Sequence, residues 1–147
     1  MQMAAVRASI EIDARREAVW RIVADLPRLG EWVTIHKGFQ GSPPSSVKEG
    51  TGFTQKLAVA GKDFDIKWTA TEVREPELLE WRGEGPGGST ARARYELAGE
   101  DETAFTYISE FDPPGGKLGD AASTAIENSA DDEAQETLQR LKQLAER

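Results

Sequence analysis

Residues 6–33, VRASIEIDARREAVWRIVADLPRLGEWV, contain the change of hydrophobic period that decides how the fold begins. Apolar and polar side chains alternate from Val6 to Asp13, which is typical of a strand with one buried face. The next segment, residues 15–26, repeats its apolar residues at helical spacing and so predicts an amphipathic helix. Pro27 ends that helix, and PRLGEWV predicts a second, short helix. The chain therefore begins with a strand followed by two helices.

From Thr51 onward the sequence predicts one strand after another. Short alternating runs recur up to Phe111, and turn sequences such as GPGG and GEDE separate them. Regularly spaced short strands are typical of an antiparallel meander. Residues from about 117 to 146 then predict one long helix. We therefore expect an α+β fold in which a curved antiparallel sheet of about seven strands wraps around a long C-terminal helix, as one domain over residues 1–147.

The charge balance argues against two classes of partner. The 147 residues carry a net charge of −8, whereas nucleic acids and anionic membrane surfaces both attract clustered Lys and Arg. No apolar run is long enough to insert into a membrane. The chain contains no cysteine, which excludes disulfides and thiolate sites and is compatible with a reducing compartment. We expect a cytoplasmic protein that binds no nucleic acid and does not insert into membranes.

The long helix predicts a cavity. At the helical repeat, Ile126, Ala130 and Ala134 share one stripe with three leucines that follow them. A stripe packed tightly on a sheet would be bulky along its whole length, because protein interiors are close-packed. Small residues over the first half indicate either unusually close backbone approach or open space. The aromatic strands opposite favour open space, so we predict a cavity between helix and sheet.

Aromatic residues on the strands are the candidate walls of that cavity. Flat apolar side chains suit hydrophobic ligands, and a few Tyr and Gln groups would orient one. The alternative is that these residues are ordinary core. The predicted ligand-binding residues are Trp32, His36, Phe53, Gln55, Trp68, Trp81, Tyr95, Tyr107, Ile126, Ala130 and Ala134.

His36 is the only histidine and one of two candidate catalytic residues. A neutral imidazole is the natural general base near neutral pH. Glu127 lies beside the apolar helix stripe and is the second candidate. The alternative is that His36 is hydrogen-bonded to backbone and Glu127 is solvated. Since no partner that would orient the imidazole is visible in the sequence, we expect His36 to form part of a pocket wall.

No metal or cofactor site is expected. Asp131, Asp132, Glu133 and Glu136 form an acidic run, but consecutive helix residues point in different directions and no histidine accompanies them. The segment GEGPGGST lacks the Gly-Lys-Ser/Thr ending of a phosphate-binding loop, and we interpret it as a hairpin turn.

Four segments resemble a known superfamily over nearly the whole chain. They are ASIEIDARREAVWRIVADLPRLGEWV, the sheet segments GTGF and WTATEVREPELLEWRGEG, and the terminal helix. Together they are similar to the START/Bet v1-like superfamily, and within it to bacterial SRPBCC proteins labelled polyketide cyclase/dehydrase. The resemblance implies a helix-grip fold with an apolar cavity that binds lipids, polyketides, sterols or hormones.

Three functions remain open from the sequence. The first is a non-enzymatic binder of a small hydrophobic, lipid- or polyketide-like molecule. The second is a polyketide cyclase or dehydratase with His36 as its base. The third is a toxin with a small antitoxin as protein partner, which is implied only by the resemblance of EWVTIHKGF to actinobacterial members labelled toxins.

Overall fold

A computed structural model describes residues 4–59, 62–112 and 120–147, and the side chains of residues 6–58, 63–112 and 132–147. Its strands are β1 (Ala4–Ile12), β2 (His36–Gln40), β3 (Gly52–Val59), β4 (Lys62–Arg74), β5 (Leu78–Glu84), β6 (Thr90–Ala98) and β7 (Thr103–Asp112). Its α-helices are α1 (Arg16–Val23) and α2 (Asp120–Ala145), and short 3-10 helices span Leu26–Glu31 and Pro86–Gly88.

The strands form a single seven-stranded sheet in the order β1-β7-β6-β5-β4-β3-β2. Each neighbouring pair is antiparallel. Strands β2 to β7 follow one another as a meander, while β1 and β2 lie at opposite edges. The segment containing α1 and the 3-10 helix Leu26–Glu31 therefore carries the chain from one edge of the sheet to the other. This arrangement confirms the predicted α+β fold.

Strand β2 is the element that the hydrophobic pattern did not locate. It pairs with β3 through a register shift between His36 and Gly38, and its side chains do not alternate cleanly between buried and exposed. An irregular edge strand of this kind has no clear period of two. The structure thus places His36 at the start of a strand at the sheet edge.

The C-terminal half of α2 packs on the sheet through small and leucine side chains. Ala134, Leu138 and Leu141 are fully buried in the core. Two polar contacts fix the end of the helix beside β1: Lys142 Nζ donates to the Glu11 carbonyl at 2.9 Å, and the Asp13 amide donates to the Glu146 carboxylate at 2.8 Å. Neither α1 nor α2 is long and apolar enough, over its described residues, to cross a membrane.

Helix α1 packs against the core through its apolar face. Val19, Trp20, Ile22 and Val23 are buried, and the Trp20 indole N–H donates to the Glu75 carboxylate at 3.1 Å. Burial of this face accounts for the helical spacing of its apolar residues.

Strands β5 and β6 carry an ion-pair cluster centred on Glu80, which is only 7% exposed. Its carboxylate accepts from Arg92 Nε at 2.8 Å and from Arg94 at 3.2 Å. Arg92 also donates to Glu110 at 2.8 Å. Burial raises the pKa of Glu80, but the hydrogen bonds from both arginines outweigh it, and the net pKa lies below its ordinary value. The cationic side chains of this cluster are therefore already paired with carboxylates.

Candidate functional site

A cavity opens between the sheet and the segment that crosses from β1 to β2. Six of the predicted ligand-binding residues line it: Phe53, Gln55, Trp68, Trp81, Tyr95 and Tyr107. Apolar residues of α1, the 3-10 helix and the loop before β2 also contribute, including Val23, Leu29, Val33 and Ile35. The sequence analysis did not assign these residues to the site, because their apolar side chains do not differ in type from those of the core.

The cavity is narrow. Its volume is about 60 Å³. A cavity of about 150 Å³ holds one benzene ring. Since the cavity is smaller than that, even a ligand with a single ring needs the wall to move when it binds.

Aromatic rings form the cavity wall through edge contacts. The Phe53 ring lies 5.0 Å from Trp81 and 5.6 Å from Phe39, both T-shaped, and Tyr95 stacks on Tyr107 at 5.8 Å. T-shaped and offset pairs are favourable ring geometries. These rings therefore give the cavity wall flat apolar surfaces.

Gln55 connects the cavity wall to His36. The Trp68 indole N–H donates to Gln55 Oε1 at 2.8 Å, and Gln55 Nε2 lies 2.8 Å from His36 Nδ1. An indole nitrogen only donates, so the Gln55 oxygen must face Trp68 and its NH₂ group must face His36. His36 Nδ1 is therefore the acceptor, and the neutral ring carries its proton on Nε2.

Burial lowers the pKa of His36. Protonation would also place an N–H on Nδ1 against the Gln55 amide hydrogens, so the hydrogen-bond chain favours the neutral ring as well. With its proton on Nε2 and Nδ1 occupied, the ring has no vacant nitrogen lone pair that could accept a substrate proton. Among the described residues, His36 is not part of the cavity lining but lies directly behind Gln55.

Two glycines make room for these side chains. A Cβ on Gly83 would lie 2.8 Å from Trp68 Cε3 and 2.5 Å from Ile66 Cγ2, so only glycine lets the Trp68 ring lie flat against β5. A Cβ on Gly30 would approach His36 Cδ2 to 3.1 Å. The sequence analysis did not recognise either glycine as part of the site.

The described lining also contains the polar groups of Tyr95, Tyr107, Ser109 and Glu110. Burial, with the nearby Tyr107, raises the pKa of Tyr95 far above its ordinary value. Burial also raises the pKa of Tyr107, partly offset by a hydrogen bond from Ser109. Both phenols are therefore neutral at physiological pH and can donate or accept a hydrogen bond.

The remaining predicted site residues lie away from the described lining or outside the described side chains. Trp32 is completely buried and packs edge-on against Tyr95 at 5.5 Å, behind the wall. Ala134 is buried beside Leu138 in the core and is not among the lining residues that the structure describes. The side chains of Ile126, Glu127 and Ala130 fall outside the described residues.

Thr34 joins the loop before β2 to α2. Its amide donates to Thr137 Oγ1 at 3.1 Å, the two hydroxyls are 3.1 Å apart, and the Thr34 hydroxyl also bonds the Glu133 carboxylate. The neighbours of Thr34, Val33 and Ile35, line the cavity. This cluster therefore ties one wall of the cavity to the C-terminal helix.

Part of the acidic run on α2 has a structural role. Glu133 is half-buried through its bond to Thr34, whereas Asp132 and Glu136 are exposed. Over the described residues, no group of acidic or histidine side chains is arranged to hold a metal ion.

Two mycobacterial relatives match part of the chain. A protein named as a toxin in Mycobacterium tuberculosis is 35% identical over 86 residues, which cover 58% of this chain and 60% of the toxin. An uncharacterised protein from the same organism is 29% identical over 87 residues, covering 59% of this chain and 61% of its own length. The matched segment thus spans less than two thirds of either relative.

Solved structures match the fold over nearly the whole chain. A Streptomyces aromatase/cyclase superposes with a TM-score of 0.76 at 16% identity, covering 99% of this chain and 95% of its own. A START superfamily protein from Mycobacterium smegmatis gives a TM-score of 0.72 at 15% identity, covering 95% of this chain and 98% of its own. At such low identity the likeness concerns the fold, and it confirms the START/Bet v1-like helix-grip arrangement.

The sequence also matches a family described as polyketide cyclase / dehydrase and lipid transport, over residues 3–146. Since this match includes every strand and both α-helices, the chain belongs to the polyketide cyclase / dehydrase and lipid transport family.

Proposed function

We propose that this protein binds a small hydrophobic molecule in the cavity between the sheet and the β1–β2 crossing segment. The observation that carries the proposal is an aromatic, largely apolar cavity that also contains two neutral tyrosine hydroxyls. Ligand sites are typically concave and apolar, with a small number of placed polar groups. The family description, which includes lipid transport, supports the same class of ligand.

The contacts of Gln55 support a pre-formed site. An interior that served only for packing would be filled by apolar side chains, because a buried amide must find partners for its polar atoms. Here Trp68 and His36 supply those partners and hold Gln55, which is 4% exposed, in one orientation at the cavity wall. Gln55 is therefore held in one orientation before a ligand arrives.

The geometry supports binding better than catalysis by His36. A cyclase or dehydratase needs a base that removes a proton from its substrate. The Gln55 amide occupies His36 Nδ1, and Nε2 already carries a proton. Catalysis by His36 would first require the Gln55 chain to break.

A toxin function is the second candidate, and the 35% identity to a mycobacterial toxin favours it. Under this alternative the chain would act on a cellular process and be neutralised by a small antitoxin. Induced expression in a mycobacterial host separates the two functions, because growth arrest relieved by a co-expressed neighbouring gene would support the toxin.

Native mass spectrometry of protein purified from its own host tests ligand binding. We expect a non-covalent mass increment that disappears after unfolding and refolding in clean buffer, with the same sample serving as the stripped control. No increment, together with no saturable change in tryptophan emission across apolar probes, would contradict the proposal. Fractionation of the same cells tests the expected cytoplasmic location.

A further inference from the structure

Among the described residues that line the cavity, none is Lys, Arg or His. The arginines of the cluster around Glu80 are paired with Glu80, Glu96 and Glu110 instead. The Glu110 carboxylate also belongs to the lining. A ligand carboxylate brought into this cavity would therefore lose its hydration without gaining a counter-charge from the described lining, which is strongly unfavourable.

The hydroxyls of the cavity match an uncharged acceptor. Tyr95 and Tyr107 form a directly opposed cross-strand pair with stacked rings, so both hydroxyls belong to one patch of the wall. A neutral phenol donates readily to a carbonyl or hydroxyl oxygen of a ligand.

Gln55 adds a limited further capacity. An amide NH₂ has two hydrogens and its oxygen has two lone pairs. His36 Nδ1 accepts one of the hydrogens, and the Trp68 indole N–H donates to one of the lone pairs. The group is neutral, so it strengthens the preference for a polar but uncharged ligand.

The charge of the whole protein acts in the same direction. A net charge of −8 creates a field that repels anions on their way to the mouth of the cavity.

From these observations we propose that the cavity selects uncharged hydrophobic molecules that carry a hydrogen-bond acceptor oxygen, and rejects carboxylates such as free fatty acids. This inference rests on the proposed binding function and names the chemical class of its ligand. Tyr95 and Tyr107 are the residues that would recognise the acceptor oxygen.

Matched probes test the inference by isothermal titration calorimetry at pH 7.5. 2-Acetylnaphthalene and 2-naphthoate have nearly the same shape but differ in charge, and naphthalene lacks the oxygen. Acetophenone and benzoate repeat the comparison with one ring. We expect each ketone to bind at least roughly 30-fold more tightly than its carboxylate.

Tyr95→Phe and Tyr107→Phe should each weaken ketone binding by roughly 3- to 10-fold and leave naphthalene binding unchanged. Thermal melts establish that both variants are folded.

The outcomes are distinguishable. A carboxylate that binds as tightly as its ketone would overturn the inference while ligand binding itself stands. An undiminished ketone preference in the Tyr95→Phe/Tyr107→Phe double variant would also overturn it. If none of the five probes bound, the proposed function would fail, and the inference with it.

Discussion

Gln55 Nε2 lies 2.8 Å from His36 Nδ1, with the Gln55 oxygen held by the Trp68 indole N–H at 2.8 Å. This relationship assigns the proton of the only imidazole in the chain to Nε2. It also explains why His36 stands behind the cavity wall as a support for Gln55.

The tautomer of His36 can be measured directly. Because the chain has one histidine, a long-range ¹H–¹⁵N spectrum contains a single imidazole. We expect the Nε2–H pattern and a pKa below 6.5, as burial lowers it. In Gln55→Glu a carboxylate would face Nδ1, and the pKa of His36 should rise above its wild-type value. An Nδ1–H tautomer in the wild type would show that the hydrogen-bond chain is wrongly assigned.

The lowered pKa of His36 predicts a dependence of stability on pH. Above about pH 7 both the folded and the unfolded states hold His36 neutral, so its contribution is complete. As the pH falls below about 6.5, the unfolded chain takes up a proton that the folded chain resists, and the free energy of unfolding decreases. Urea unfolding measures the free energy of unfolding at pH 7.5 and at pH 5.5. Its decrease between the two should be smaller in His36→Asn than in the wild type, because the Asn side chain does not titrate and its amide oxygen can replace Nδ1 as the acceptor. Equal losses in both proteins would contradict this.

Thr34→Val tests the connection between the cavity wall and α2. The change removes the hydroxyl that bonds Thr137 and Glu133, and should cost about 1 kcal/mol of stability. We expect faster hydrogen exchange at Val33 and Ile35 and faster ligand association, because the wall must move for a ligand to enter. Thr69→Val is the matched control, since Thr69 is exposed in β4 and should change neither property. Unchanged exchange in Thr34→Val would show that this cluster does not hold the wall.

Glu80→Ala tests the ion-pair cluster on β5 and β6. Loss of the carboxylate leaves Arg92 and Arg94 without one of their partners, and we expect a destabilisation of about 1.5–3 kcal/mol by urea unfolding. Glu84→Ala on the same strand is the control, because Glu84 is exposed and should change stability by less than about 0.5 kcal/mol. Similar effects of the two substitutions would mean that the cluster adds little beyond a surface charge.

The hydrophobic periods in the sequence were sufficient to predict the fold. Alternation along β3, β4, β6 and β7 and helical spacing in α1 and α2 identify those elements, because each buries one face. Strand β2 escaped prediction because its burial does not alternate.

The candidate site was only partly predictable. Aromatic type identified Phe53, Trp68 and Trp81, which line the cavity. Val33 and Ile35 look like any core residue in the sequence, and the role of Gly83 depends on how closely Trp68 approaches β5 in space. The orientation of Gln55 likewise follows from contacts between residues distant in sequence.

Two buried alanines provide the most direct test that the cavity is a ligand site. Ala93 lines the cavity, whereas Ala134 is also buried but packs in the core. Ala93→Leu should keep or slightly raise stability, because the side chain enters open space, and should abolish binding of 2-acetylnaphthalene. Ala134→Leu should lose about 1–3 kcal/mol through overpacking and retain binding while folded.

The decisive measurement is therefore calorimetric titration of Ala93→Leu with 2-acetylnaphthalene, alongside a thermal melt of the same sample. The account predicts an unchanged or higher melting temperature with no detectable binding. Wild-type affinity in a stable Ala93→Leu protein would contradict the claim that this cavity is where the ligand binds.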